Sequence, residues 1–218
     1  MNFAEIFRVG YFNWWLVGAY ILLLAVFLFG ILRPRRKTEW KSAGVAQAWV
    51  VALYAEMYGV PLTAYLAMNI LGRSNLEAEH HYNGHLWPLF FNLGEQTTIQ
   101  AQFVCTVVGQ ATILIGALLA VFGWRQLHRA AKEGKLANSG LYKYIRHPQY
   151  TGFFLFLIGS MINWPTLVTF LTLPILFVVY LRLAKAEEQD AIAEFGDLYR
   201  NYMAQTGRFF PKLAFATR

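Results

Sequence analysis

Charged residues are scarce in this chain. Asp, Glu, Lys and Arg make up 14% of its 218 positions, against about 25% in an ordinary soluble domain. With 57% hydrophobic residues and a mean hydropathy of +0.37, too little polar surface remains to coat a soluble fold, and the composition points to an integral membrane protein. Cysteine is scarcer still. The single Cys105 lies in an apolar run, which excludes an internal disulfide and a Cys-based metal cluster and leaves a small buried hydrophobe. No two of the 17 glycines stand two positions apart. There is therefore no G-x-G, and the Gly-rich turn of a Rossmann-type enzyme is missing. Acidic residues number 12 against 19 basic ones, a formal net charge of +7, and the placement of the basic residues decides what that charge means.

Long uncharged runs are what the chain has instead. A helix needs about 20 apolar residues to cross a bilayer. Residues 9–32, 96–124 and 148–181 contain no Asp, Glu, Lys or Arg, and 42–72 contains only Glu56. The first run lacks a small-residue cleavage pattern and ends at Arg33-Pro34-Arg35-Arg36-Lys37, so it reads as a retained membrane helix rather than a cleaved signal. The last run, at 34 residues, is too long for one comfortable span, and Asn163-Trp164-Pro165 sits in its middle. Pro and Asn mark a turn there, which gives a hairpin of helices at 149–162 and 165–181. The expected fold is all-α and integral to the membrane. It has five transmembrane helices, the last two a helical hairpin, within a single domain over 1–218. After Leu181 the composition shifts to Ala, Glu, Lys and Tyr. Residues 184–202 read as a C-terminal helix that continues the last span or lies along the membrane surface.

Basic residues set the orientation. Five lie in 33–41, six in 125–146 and six in 182–218, which is 17 of the 19, and only Arg8 and Arg73 fall on the other face. With the positive face inside, the N-terminus is outside and the C-terminus is cytoplasmic, at the inner membrane if the source is bacterial. The basic character is thus topological and does not call for nucleic acid. It also suits anionic headgroups of the membrane lipids.

Three polar constellations share the cytoplasmic side: 140–152, Arg182 with Glu187 and Glu188, and the tail residues Tyr199, Tyr202 and Arg208. The hairpin starts at Pro148 and returns at Arg182, so it brings the first two together. Such a set suits a cationic or zwitterionic cofactor beside a membrane. Paired carboxylates bind an ammonium, Arg forks a carboxylate, and Tyr faces hold an adenine or a sulfonium. Pro148 fits the first position of its helix, where its missing N–H costs nothing. Each group also has a plainer reading. Arg146-His147-Pro148 is a basic juxtamembrane stop, Glu187-Glu188 a solvated helix face, Arg182 a positive-inside anchor, and Tyr199 and Tyr202 interfacial aromatics.

Gly140-Leu141-Tyr142 followed by Arg146-His147-Pro148-Gln149-Tyr150-Thr151-Gly152 gives the pattern G-x-Y-x-x-x-R-H-P-x-Y-x-G. Glu187-Glu188, then Phe195-Gly196-x-x-Tyr199-x-x-Tyr202 and Arg208-Phe209-Phe210-Pro211, follow in order. Residues 140–211 thereby resemble the integral-membrane methyltransferases that include the isoprenylcysteine carboxyl methyltransferases and related phospholipid methyltransferases. Residues 1–139 carry no assignable motif. The resemblance implies S-adenosylmethionine as cofactor, a cytoplasmic cofactor pocket, and a lipophilic acceptor entering from the bilayer. It places Tyr142, Arg146, His147, Pro148, Tyr150 and Gly152 in the cofactor region. It places Glu187, Glu188, Tyr199 and Tyr202 around cofactor or acceptor. Arg146, Glu187 and Glu188, with Arg182 added for its place one and a half turns earlier, are the expected catalytic residues. A carboxylate acceptor needs no base, whereas a thiol or amine must lose a proton, which Glu187, Glu188, His147 or the tyrosines would take.

Glu56 is an intramembrane carboxylate between Tyr54 and Tyr58. It is expected either to pair inside the bundle or to touch the substrate. His80, His81 and His85 read as part of a loop turning through Asn83-Gly84 rather than as a metal site. Two rival functions stay open. One is an NADPH-dependent sterol-type reductase, which resembles a similar C-terminal region but is much longer. The other is a small non-enzymatic scaffold.

Overall fold

The computed structural model describes residues 37–56 and 95–212, with Trp15, Gly18, Ala19, Ile21 and Leu22. The run at 9–32 and the loop carrying His80, His81 and His85 lie outside the described residues, apart from those five positions. Among the described residues there are five α-helices: α1 Lys37–Tyr54, α2 Glu95–Lys132, α3 Pro148–Asn163, α4 Leu167–Phe195 and α5 Asp197–Gln205. A 3-10 turn covers Gly140–Lys143. The described residues hold no strand beyond an isolated parallel bridge between Ile145 and Gly207. The architecture is all-helical, as the charge-free runs require.

Two helices, Gln100–Lys132 and Leu167–Phe195, are long and apolar enough to cross a membrane. Large apolar side chains are exposed on both: Phe103, Val107, Leu114, Leu118 and Phe122 on α2, and Phe170, Leu171, Ile175 and Val178 on α4. A helix that turns apolar residues outward is suited to lipid. Helix α2 runs through the uncharged stretch and on to Lys132, so Arg125 and Arg129 stand on its last two turns.

The break between α3 and α4 has a local cause. Helix α3 ends at Asn163, and Thr166 caps α4. The Thr166 N–H donates to Thr169 Oγ1 at 2.9 Å, and the Thr169 N–H donates to Thr166 Oγ1 at 3.1 Å. This is the reciprocal exchange of a capping box, with Thr in the third helical position. Helix α4 continues through the shift in composition and ends at Phe195. The tail is not one helix to Tyr202, because Gly196, at φ 55°, breaks it before α5. A left-handed residue at that point favours glycine.

The chain divides into two compact units, Met1–Gln110 with Ser160–Pro174 and Ala111–Gly159 with Ile175–Arg218. In the first, Trp49 of α1 is buried and its indole N–H donates to Thr172 Oγ1 at 2.8 Å. Glu56, just past α1, is buried in that unit. In the second, α2 and α3 touch backbone to backbone. A Cβ on Gly116 would strike Phe156 N and Gly152 O; one on Gly152 would strike Ala120 N and Gly116 O; one on Gly123 would meet Gln149 N and Pro148. Gly116 and Gly123 are seven residues apart, two helical turns, and so share a face. Small residues allow this close approach, as they do between membrane helices. The contact fixes Pro148, the first residue of α3, against α2.

Candidate active site

The polar segment after α2 is anchored from both sides. Gly140 adopts φ 59°, and a Cβ there would run into the Gln126 side chain. Gln126 Oε1 accepts the Leu141 N–H at 3.0 Å. The buried Tyr142 hydroxyl donates to Gln149 Oε1 at 2.8 Å, with Gly123 O a second acceptor at 3.2 Å. From the other side, the Tyr202 hydroxyl of α5 donates to Tyr142 O at 2.6 Å.

The next residues run extended and pair with the tail beyond α5. The Arg146 N–H donates to Gly207 O at 2.9 Å and the His147 N–H to Arg208 O at 3.1 Å. Thr151 Oγ1 donates to Phe209 O at 2.8 Å. Pro148 then opens α3, and His147 O takes the N–H groups of Tyr150 and Thr151 at 3.1 and 3.0 Å. The motif is thus an extended segment leading into a helix, with the tail hydrogen-bonded alongside it.

At this junction Glu188 of α4 is surrounded by cations. Its Oε1 accepts Arg146 Nε at 2.8 Å and Arg208 Nε at 3.0 Å, and its Oε2 accepts Arg208 Nη2 at 2.5 Å. Arg146 Nη1 also donates to Met203 O at 3.2 Å and to Thr206 O. Arg146 therefore ties α4 to the end of α5. Its Nε and Nη1 already serve protein acceptors, in place of the carboxylate fork the sequence reading gave it. Glu187, its neighbour, points elsewhere: Oε1 accepts the Tyr150 hydroxyl at 2.6 Å. Successive helix positions differ by about 100°, which is why adjacent carboxylates meet different partners.

His147 lies between the two acids. Its Nδ1 is 3.4 Å from Glu187 Oε2 and its Nε2 is 3.4 Å from Glu188 Oε1. Both ring nitrogens are buried without hydrogen-bond geometry to any of the described residues. Burial opposes charging this ring, but the two carboxylates outweigh burial and raise its pKa above the ordinary 6.5. The ring stacks on Tyr150 at 5.4 Å and 10°, with Phe209 tilted against it at 6.1 Å. Tyr199 and Tyr202 lie edge to face at 5.7 Å. Burial pushes the Tyr199 phenol up, and that of Tyr202 to about 12. Both are held neutral, which removes them as proton acceptors near neutral pH. Hydrogen bonding to Glu188 raises the Arg208 pKa further.

The structure brings Tyr142, Arg146, His147, Pro148, Tyr150, Glu187, Glu188, Tyr199 and Tyr202 into one junction. Two expected residues stand apart from it. Arg182 is exposed and joins none of these bonds; at six residues before Glu188 it projects from another side of α4. Gly152 meets α2 rather than the polar groups. Among the described residues no group of three or more His, Cys, Asp and Glu is placed to hold a metal ion. Arg208 stands in the tail constellation of the sequence without a role in the expected site, and the structure gives it one. Its place beside Phe209-Phe210-Pro211 was visible, but its pairing across 20 positions was not.

The geometry meets a family at this point. Residues 101–193 match the isoprenylcysteine carboxyl methyltransferase family model. The match takes in most of α2, all of α3 and nearly all of α4, and so includes both halves of the charged junction on either side of the α3–α4 turn. Curated relatives agree in chemistry. The chain is 30% identical over 119 residues to a methanethiol S-methyltransferase of Pseudomonas deceptionensis, covering 49% of this chain and 43% of that one. It is 29% identical over 135 residues to a methanethiol S-methyltransferase of Crocosphaera subtropica, covering 56% and 49%. It is 33% identical over 72 residues to a protein-S-isoprenylcysteine O-methyltransferase of Schizosaccharomyces pombe, covering 33% and 30%. The matched stretch spans less than half the length of each relative. No solved structure gives a significant match. The resemblance read from the motif is therefore upheld by a family model and by relatives named as methyltransferases.

Proposed function

We propose that this chain is a membrane-embedded methyltransferase that takes its methyl group from S-adenosylmethionine and passes it to a lipophilic or small apolar acceptor. An isoprenylcysteine-like carboxylate, a small thiol and a phospholipid amine are the acceptor classes. One observation carries the reading: the two motif halves, 42 residues apart in sequence, close into one charged junction at Arg146, His147 and Glu188. The topology that goes with it has five membrane helices, the last two a hairpin, the N-terminus outside, and the junction facing the cytoplasm.

The residues present fit that cofactor. His147 offers two buried ring nitrogens without hydrogen-bond geometry, and Glu187 keeps an 18% exposed carboxylate beside it. Tyr150, stacked on the His147 ring, and Tyr199 add aromatic rings to the same junction. These four, with Tyr202, are the groups that would hold it. S-adenosylmethionine, when bound, supplies a methyl group on a cationic sulfur. The protein's part is to align the reactants and keep water out. A thiol or amine gives up a proton when methylated, and Glu187 with His147 is the pair placed to take it. A carboxylate acceptor asks for no such step.

Calorimetry on the purified chain in detergent tests the reading. S-adenosylmethionine should bind, and Glu187→Gln should weaken binding. Failure of both S-adenosylmethionine and its demethylated product to bind would sink the proposal, and acceptor-dependent NADPH oxidation would replace it with a reductase. Radiolabelled S-adenosylmethionine added to membranes would then identify the acceptor by its label.

A further inference from the structure

The two adjacent glutamates are equal in sequence and unequal in space. The Glu188 side chain is 4% exposed and faces two guanidinium groups, whereas that of Glu187 is 18% exposed and has no arginine partner among the described residues. Arg208 supplies two of the three arginine hydrogen bonds to Glu188. It reaches Glu188 with two donors, Nε to Oε1 at 3.0 Å and Nη2 to Oε2 at 2.5 Å, while Arg146 reaches only Oε1, through Nε. A two-point fork fixes the plane of a carboxylate, which a single donor does not. The same carboxylate stands 3.4 Å from His147 Nε2, and the Arg208 carbonyl accepts the His147 N–H. Arg208 therefore holds His147 twice, by its backbone directly and by its side chain through Glu188.

We infer that Arg208 is a positioning residue of the site. By clamping Glu188 it withdraws that acid from ligand chemistry, fixes the His147 ring, and leaves Glu187 as the one carboxylate of the pair that meets a cationic ligand. The ligand half of this inference rests on the proposed function; the clamp itself does not. A cation approaching the junction is repelled by Arg146 and Arg208 where they cover Glu188 and attracted where Glu187 lies uncovered. The groups facing His147 are Glu187 and Glu188 from α4 and Tyr150 from α3, with Arg146 and Arg208 behind Glu188 and Tyr199 of α5 beside it.

Arg208→Gln, Arg208→Lys and the double variant Arg208→Gln/Glu188→Gln, made in the full chain in lipid nanodiscs, test this with two readouts. The first is S-adenosylmethionine affinity by calorimetry. The second needs no ligand: the pH midpoint of the His147 imidazole by nitrogen NMR, assigned by its loss in His147→Gln. Arg208→Gln should weaken binding by about tenfold to a hundredfold, the scale on which a misplaced binding group acts. It should also move the His147 midpoint upward, because Glu188 is left with less compensating charge. Arg208→Lys should recover part of both effects. The double variant should be no worse than Arg208→Gln alone, since the stranded carboxylate is gone. An unchanged midpoint in Arg208→Gln overturns the clamp, whatever the ligand. A shifted midpoint with unchanged affinity, in a wild type that binds, overturns its link to the ligand. A wild type that binds nothing overturns the proposed function and with it that link, while the midpoint still decides the clamp. If Arg208→Gln does not fold, Arg208→Lys carries both readouts.

Discussion

The α2–α3 contact and the charged junction at its end hold the same unit together by opposite means. Along α2 and α3 the contact is glycine against backbone, with Gly116, Gly123 and Gly152 letting main chains touch. A few residues on, past Pro148, cohesion comes from Arg146, Arg208 and His147 gathered on Glu188. The first arrangement has no charge to screen or titrate. The second is made of charges and is sensitive to each of them. The difference teaches where this chain can respond to a ligand: a backbone contact permits little adjustment, while a charge cluster can exchange partners.

Removing the centre of the cluster should do most. Glu188→Ala strands the buried Arg146 and His147 and releases the partly exposed Arg208, and it should cost ~3–5 kcal/mol of unfolding free energy, read as a fall in the denaturation midpoint in detergent. An effect no larger than that of an exposed control such as Asp190→Ala would erase the contrast between the two regions. Next comes the glycine contact. Gly152→Ala puts a methyl onto Ala120 and Gly116 backbone atoms and should cost ~1–3 kcal/mol by overpacking. Unlike the loss from Glu188→Ala, that loss should be the same at low and high salt.

Smaller effects sharpen the boundary. Thr166→Ala removes half of the capping exchange at the start of α4 and should cost ~1 kcal/mol, visible as a lowered melting temperature. The mildest probe is pH. His147 titrates above its ordinary 6.5 when folded. Its contribution is therefore fully present below 6.5 and is lost as pH rises through the folded value. Stability should fall across that window in the wild type, and His147→Gln should flatten the fall. A wild type whose stability is level there would show that the acids do not hold the ring.

Much of the fold was legible because absence of charge is a strong signal. The uncharged stretch at 96–124 lies inside α2, and Asn163-Trp164-Pro165 falls where α3 gives way to α4. The end of α4 was harder to read. Its composition turns polar at Arg182, yet no Gly or Pro stands between Arg182 and Gly196, so the helix carries on. In the site, residue types were legible and partnerships were not. Arg146 reads as a fork for a ligand carboxylate until Glu188 and the carbonyls of Met203 and Thr206 are seen to engage it. Arg182 looks close to the glutamates in sequence, but helical rotation turns it away. The glycines showed only that no G-x-G turn of the Rossmann kind is present; their service as a helix contact needed the partner helix.

The sequence by itself determined that the chain is helical and apolar, that its basic residues cluster in three segments between uncharged runs, and that its motifs resemble those of membrane methyltransferases. Those properties follow from composition, periodicity and local order, which act over a few residues. Only the tertiary structure decided that Glu188 is clamped while Glu187 stays uncovered, and that Arg208 makes the clamp. Adjacent residues on a helix point about 100° apart, and what each one meets depends on segments 20 to 40 positions away. No pattern of neighbours in the chain encodes that distance.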